Sequence, residues 1–152
     1  MCDRPYTSSD KWTVSIMSGI LFLLVSSPYM FSITNNITSR IGMDISNKVG
    51  CPNMAGLMLH ASVYTVLLRI LMGKSGGNND CSKPYTSKDK WIISLIGGLL
   101  FLLIASPFLY EAVNSLTSSF GLVISDKDGC PNLTGIVLHT CIFIVVVRML
   151  MR

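Results

Sequence analysis

Ile20-Leu21-Phe22-Leu23-Leu24-Val25 is a run with no polar face. A helix on the surface of a soluble protein of this length keeps a polar stripe opposite its apolar one. The run lies inside a longer apolar stretch, from about Trp12 to Phe31. Its length is close to the roughly 20 residues that span about 30 Å of hydrocarbon. A second such stretch runs from Met54 to Met72, and two more run from Trp91 to Tyr110 and from Leu133 to Met151. These four stretches predict four transmembrane helices, and an all-α membrane protein.

The stretches come in pairs because the chain repeats itself. Cys2, Pro5, Tyr6, Thr7, Asp10, Lys11 and Trp12 recur as Cys81, Pro84, Tyr85, Thr86, Asp89, Lys90 and Trp91. The match continues through Pro28 and Pro107, then through Gly50-Cys51-Pro52-Asn53 and Gly129-Cys130-Pro131-Asn132. It ends at His60/His139, Arg69/Arg148 and Met72/Met151. Self-similarity at a fixed offset marks a duplicated unit. Residues 1–72 form one predicted helical hairpin and residues 81–152 the other, joined by a Gly-rich polar tether at 73–80.

Composition agrees. Half of the 152 residues are hydrophobic and only 13% are charged, where a soluble domain carries about 25%. The net charge of +4 is modest, and no basic run interleaves with aromatics, which argues against a nucleic-acid partner. Five cysteines in such a chain do not define a secreted disulfide framework. No small-residue cleavage site follows the first apolar segment, so the first helix is expected to serve as its own uncleaved anchor.

Local signals mark the helix ends. Thr7-Ser8-Ser9-Asp10 and Thr86-Ser87-Lys88-Asp89 fit a capping box with Asp in place of the usual Glu. Asn53 and Asn132 suit N-caps of the second helix of each unit. Pro28 and Pro107 either kink the first helices or mark where these leave the bilayer. A helix continued to about Ser39 would put Asn35, Asn36 and Thr38 in the headgroups or beyond, and likewise Asn114, Ser115 and Thr117.

An even number of helices per unit makes both units insert the same way round, a parallel repeat. The termini and tether carry Arg4, Lys11, Arg69, Lys74, Lys83, Lys88, Lys90, Arg148 and Arg152, and the hairpin loops only Arg40, Lys48 and Lys127. The positive-inside rule places both termini in the cytoplasm. Arg69 and Arg148, near helix ends, are expected to snorkel as interface anchors. Trp12, Trp91 and Tyr110 fit an aromatic belt.

His60 and His139 are the ionisable groups well inside the apolar segments. Proton relay and metal binding are the chemistries that this position suggests. With no carboxylate nearby in the sequence, a neutral imidazole hydrogen-bonded across the bundle is favoured, its approach eased by Gly56 and Gly135 four residues earlier. Ser15-x-x-x-Gly19 and Ser94-x-x-x-Gly98 are small-xxx-small faces suited to close helix packing. Cys51 and Cys130 occupy equivalent loop positions. On an oxidising side they can join the two units, stay free or pair with a partner, and the sequence leaves all three open. The Asn36-Ile37-Thr38 and Asn132-Leu133-Thr134 sequons lie too near the bilayer for glycosylation to be expected. No nucleophile–base pair, phosphate loop, metal set or cofactor motif is present, so no catalytic role is expected.

The pattern Pro-Tyr-Thr-Ser-x-Asp-Lys-Trp, then Leu-Phe-Leu-Leu-x-x-Ser-Pro, then Gly-Cys-Pro-Asn and a helix ending in Arg-x-Leu-Met resembles small two-helix membrane proteins of nucleocytoplasmic large DNA viruses. Within that group it is most similar to transmembrane minor capsid proteins of the algal icosahedral viruses. The likeness covers each repeat nearly end to end, although this chain carries the hairpin twice. It implies a structural virion membrane protein linking an internal lipid membrane to the capsid shell. The implied setting is the virion membrane and the host endoplasmic-reticulum-derived membrane. The implied partners are the bilayer and other capsid or membrane proteins. The competing expectation is a small channel or transporter, a homo-oligomer built around His60 and His139.

Overall fold

A computed structural model describes residues 7–48, 50–74, 86–126 and 129–151. The tether from residue 75, together with Cys2, Arg4, Cys81, Lys83, Lys127 and Arg152, lies outside the described residues. Among those described, the chain is all-helical: α1 Ser8–Val25, α2 Pro28–Thr38, α3 Met54–Lys74, α4 Ser87–Ile104, α5 Pro107–Ser118 and α6 Leu133–Leu150, with a short 3-10 turn at Ser39–Ile41. Two isolated bridges, Ser46 with Pro52 and Ser125 with Pro131, pinch the hairpin loops. Helices α3 and α6 are long and apolar enough to cross a membrane. The number rises to four if each bent pair, α1 with α2 and α4 with α5, counts as one span.

The helix starts follow from local chemistry. Thr7 Oγ1 accepts the Asp10 N–H and Asp10 Oδ2 accepts the Thr7 N–H, a complete capping box that Thr86 and Asp89 repeat. Asn132 caps α6 through the Gly135 N–H at 2.9 Å, and Asn53 Oδ1 accepts the Gly56 N–H at the same distance.

The first apolar stretch of each half is two helices rather than one, interrupted at Pro28 and Pro107, where a kink is one of the two expectations from sequence. It breaks after Val25 and restarts at Pro28 with a bend of 53°; its counterpart breaks after Ile104 with a bend of 54°. Proline lacks the N–H that would continue the ladder, and its ring crowds the preceding turn. Ser27 and Ser106, in extended conformation, then act as fresh N-caps, accepting the Met30 and Leu109 N–H groups, and each Pro takes the first helical position.

The four long helices close into a ring in the order α1, α3, α4, α6. Its core is a set of buried side chains including Phe22, Leu57, Tyr64, Leu68, Phe101, Ile104 and Phe143. Helix α1 runs antiparallel to α6, with Ser15 near Met151 and Trp12 near Arg148. Helix α4 runs antiparallel to α3 in the same way, with Ser94 near Met72 and Trp91 near Arg69.

Candidate functional site

Four aromatic rings, one from each long helix, meet at the bundle axis. Phe22 stacks on Phe143 at 4.6 Å between centroids and meets Phe101 edge-on at 5.3 Å. Tyr64 stacks on Phe101 at 5.1 Å and meets Phe143 edge-on at 5.8 Å. All four rings are wholly buried, in the offset and T-shaped arrangements that aromatic quadrupoles favour. Tyr64 Oη donates to the Ser18 carbonyl at 3.3 Å, satisfying its hydroxyl on the main chain of α1. Sequence reasoning missed this quartet. Its signal was available, because Ser15, Gly19 and Phe22 share one helical face, as do Ser94, Gly98 and Phe101, and Tyr64 follows His60 by one turn.

The two histidines sit at the helix breaks. His60 Nδ1 lies 2.8 Å from the Val25 carbonyl oxygen, and His139 Nδ1 lies 2.7 Å from that of Ile104. A carbonyl only accepts, so Nδ1 carries a proton in each ring. These carbonyls end α1 and α4, where the restart at Pro28 and Pro107 interrupts the ladder and leaves them without an intrahelical donor. Phe31 stacks on His60 and Tyr110 on His139, each at 3.8 Å. Each imidazole therefore joins three helices of its own half: it belongs to the third, caps the first and supports the second. Nε2 of both rings is buried with no partner among the described residues. The reach is within a half rather than across the bundle. Tyr110, expected in an aromatic belt, is buried against His139 instead, on the first turn of α5 just past the bend between α4 and α5.

The small residues divide between two tasks. A Cβ on Gly19 would overlap the Ile144 side chain of α6, and one on Gly98 would overlap Thr65 Oγ1 of α3. Ser15 and Ser94 are fully buried and return their hydroxyls to the Lys11 and Lys90 carbonyls at 2.8 and 2.7 Å. The small-xxx-small faces thus join one half to the other. Gly56 and Gly135 do something different from easing helix–helix approach: a Cβ there would overlap the carbonyl oxygens of Ile45 and Ile124 in the hairpin loops.

Asparagines knit those loops. Asn35 Oδ1 accepts the Ile45 and Ser46 N–H groups at 2.7 and 3.2 Å, and Asn53 Nδ2 donates to the Asp44 carbonyl at 2.7 Å. Asn114 and Asn132 make the equivalent bonds to Ile124, Ser125 and Val123. Cys51 and Cys130 are disulfide-bonded, with Cα atoms 5.4 Å apart, so the two loops are covalently one platform. Cys141 is free and exposed. At the opposite end, Arg69 donates to Ser87 Oγ at 3.2 Å and lies 5.6 Å from the Trp91 ring centroid. Arg148 does the same with Ser8 and Trp12, at 3.2 and 5.5 Å. These are cation–π clasps between the halves, with both indoles otherwise exposed.

No cluster of three or more His, Cys, Asp or Glu suited to a metal occurs among the described residues. No protein-family model, curated protein or solved structure matches this chain.

Proposed function

We propose that this chain is an integral membrane protein with a structural, non-transporting role. In this reading two tandem hairpins insert the same way round, with the clasped termini in the cytoplasm and the disulfide-linked loops on the far side. The observation that carries it is the aromatic quartet. Phe22, Tyr64, Phe101 and Phe143 fill the axis where a conducting path through one chain would run. Both histidines are committed through Nδ1 to helix-end carbonyls, which argues for a scaffold. The outer surface supports membrane insertion, since Met17, Ile20, Leu24, Val63, Val66 and Ile70 all stand exposed on the long helices. An apolar surface this extensive needs an apolar phase to cover it. The Cys51–Cys130 bond supports an oxidising side for the loops. The resemblance described above supports the narrower form of the role, a link between an internal virion membrane and the capsid shell.

Two measurements test the proposal. Purified chain in liposomes is expected to give no proton or ion flux above empty vesicles. Flux that disappears in His60→Leu/His139→Leu would overturn the structural reading in favour of a channel. For the narrower form, the chain is expected at fixed, high copy number in purified particles, with a fraction retained on the shell after mild detergent. Its absence from particles would remove the capsid link.

A further inference from the structure

Helices α2 and α5 are amphipathic in the sense opposite to a soluble protein. The face of α2 turned to the protein carries Phe31 and Asn35, the latter spent on loop N–H groups. The face turned away carries Tyr29, Ile33 and Ile37 at successive turns, with Asn36 exposed beside them, continued by Ile41 and Arg40 at the 3-10 turn. In the second half Phe108, Leu116 and Phe120 occupy the equivalent outward positions, at 78%, 70% and 90% exposure. A helix in water would turn Ile37 in and Asn35 out. Both halves make the reverse choice at equivalent positions.

The dimensions say what covers these stripes. Helix α1 has 18 residues, but its first turn holds Asp10 and Lys11, so the apolar residues 12–25 rise only about 21 Å of the roughly 30 Å of bilayer hydrocarbon. Helix α2 has 11 residues, so it is about 16 Å long. Bent by 53°, it climbs about 10 Å along the α1 direction and runs about 13 Å sideways. The headgroup layer adds about 5–8 Å on each side of the hydrocarbon. The bend therefore falls inside the hydrocarbon, and α2 carries the span on obliquely until its far end reaches the headgroup boundary. Its stripe continues from the exposed Ile20 and Leu24 of α1.

Resting on the membrane reading above, we propose that α2 and α5 are paired interfacial anchors. The far ends of their outward stripes, at Ile37 and Ile41 and at Leu116 and Phe120, are embedded at the boundary between headgroups and acyl chains on the loop side. The occupant is lipid, because each stripe follows a helix whose own outward residues, Ile20 and Leu24 in α1 and Leu99 and Leu103 in α4, are apolar and exposed. The pair sets how deep the bundle sits and holds the disulfide-linked platform at the membrane surface.

The test is a depth measurement on the full chain in phosphatidylcholine nanodiscs. Spin labels are placed one at a time through Ile37→Cys, Leu116→Cys, Lys48→Cys, Met17→Cys and Val66→Cys. The background replaces Cys2, Cys81 and Cys141 by Ser and keeps the Cys51–Cys130 bond. Collisions with oxygen and with a polar nickel chelate are expected to put the labels at positions 37 and 116 about 5–10 Å below the phosphate level. The label at 48 should report water and those at 17 and 66 the hydrocarbon. Water at 37 and 116 with lipid at 17 and 66 would overturn the anchor while leaving the membrane reading intact. Labels at 37 and 116 shielded from both probes and dipolar-broadened would overturn it in favour of a second copy of the chain. Water at 17 and 66 as well would overturn both.

Discussion

His60 Nδ1 donates to the carbonyl of Val25, the last residue of α1, across 2.8 Å and 35 positions of sequence. That carbonyl is free because Pro28 ends the ladder, so a single imidazole turns a backbone defect into a joint between α1, α2 and α3. His139 and Ile104 form the same joint in the second half, at 2.7 Å.

Removing the joint should cost stability without preventing insertion. His60→Leu leaves a buried carbonyl unsatisfied, a penalty of about 1–3 kcal/mol, and His139→Leu is expected to add a similar amount. Unfolding in mixed micelles titrated with dodecyl sulfate should show both losses, with membrane integration of the double variant unchanged. A double variant as stable as the parent would remove the capping role.

The glycines predict a graded series. Gly19→Ala meets the Ile144 side chain, so it should destabilise by about 1–3 kcal/mol and be rescued in large part by Ile144→Ala. Gly98→Ala meets Thr65 Oγ1 and should be rescued by Thr65→Ala. Gly56→Ala meets the Ile45 carbonyl, which is backbone, so no side-chain deletion should restore it. The same titration on single and double variants reads the order, and equal rescue at all three sites would contradict the packing described.

Cutting the chain between its halves should leave one species on a non-reducing gel and two after reduction, because Cys51 and Cys130 bridge the halves. Cys51→Ser should lower stability by about 2–4 kcal/mol, the usual range for a lost disulfide. Two fragments without reductant would place the loops on opposite sides or leave the thiols unpaired.

Within the quartet, Phe22→Ala should cost about 3–5 kcal/mol by opening a cavity at the axis. Tyr64→Phe loses only the bond to the Ser18 carbonyl, 3.3 Å long, and should cost about 0.5–1.5 kcal/mol. Thermal unfolding followed by near-ultraviolet circular dichroism separates the two. A mild Phe22→Ala would mean that the axis is not the core.

Much of this protein was legible in local sequence. Capping boxes at Thr7 and Thr86, caps at Asn53 and Asn132, and four apolar stretches come from interactions within a few residues, where side-chain chemistry acts directly on neighbouring backbone. The recurring residues make like bonds, at His60 and His139, at Asn35 and Asn114, and at Arg69 and Arg148. Pro28 and Pro107 announced an interruption but not its form, since the cost of breaking a helix depends on whether a distant donor can satisfy the freed carbonyl.

That donor, the stacking of Phe31 and Tyr110 on the imidazoles, and the meeting of Phe22, Tyr64, Phe101 and Phe143 were decided by tertiary structure. So was the pairing of the small-residue faces: Ser15 and Gly19 say that a helix can come close, whereas only the closed ring says that it is α6. Short-range hydrogen bonds and apolar periodicity are properties of a segment and can be read from it. Which surfaces meet depends on how all the segments fill space together, and that is fixed only when the bundle closes.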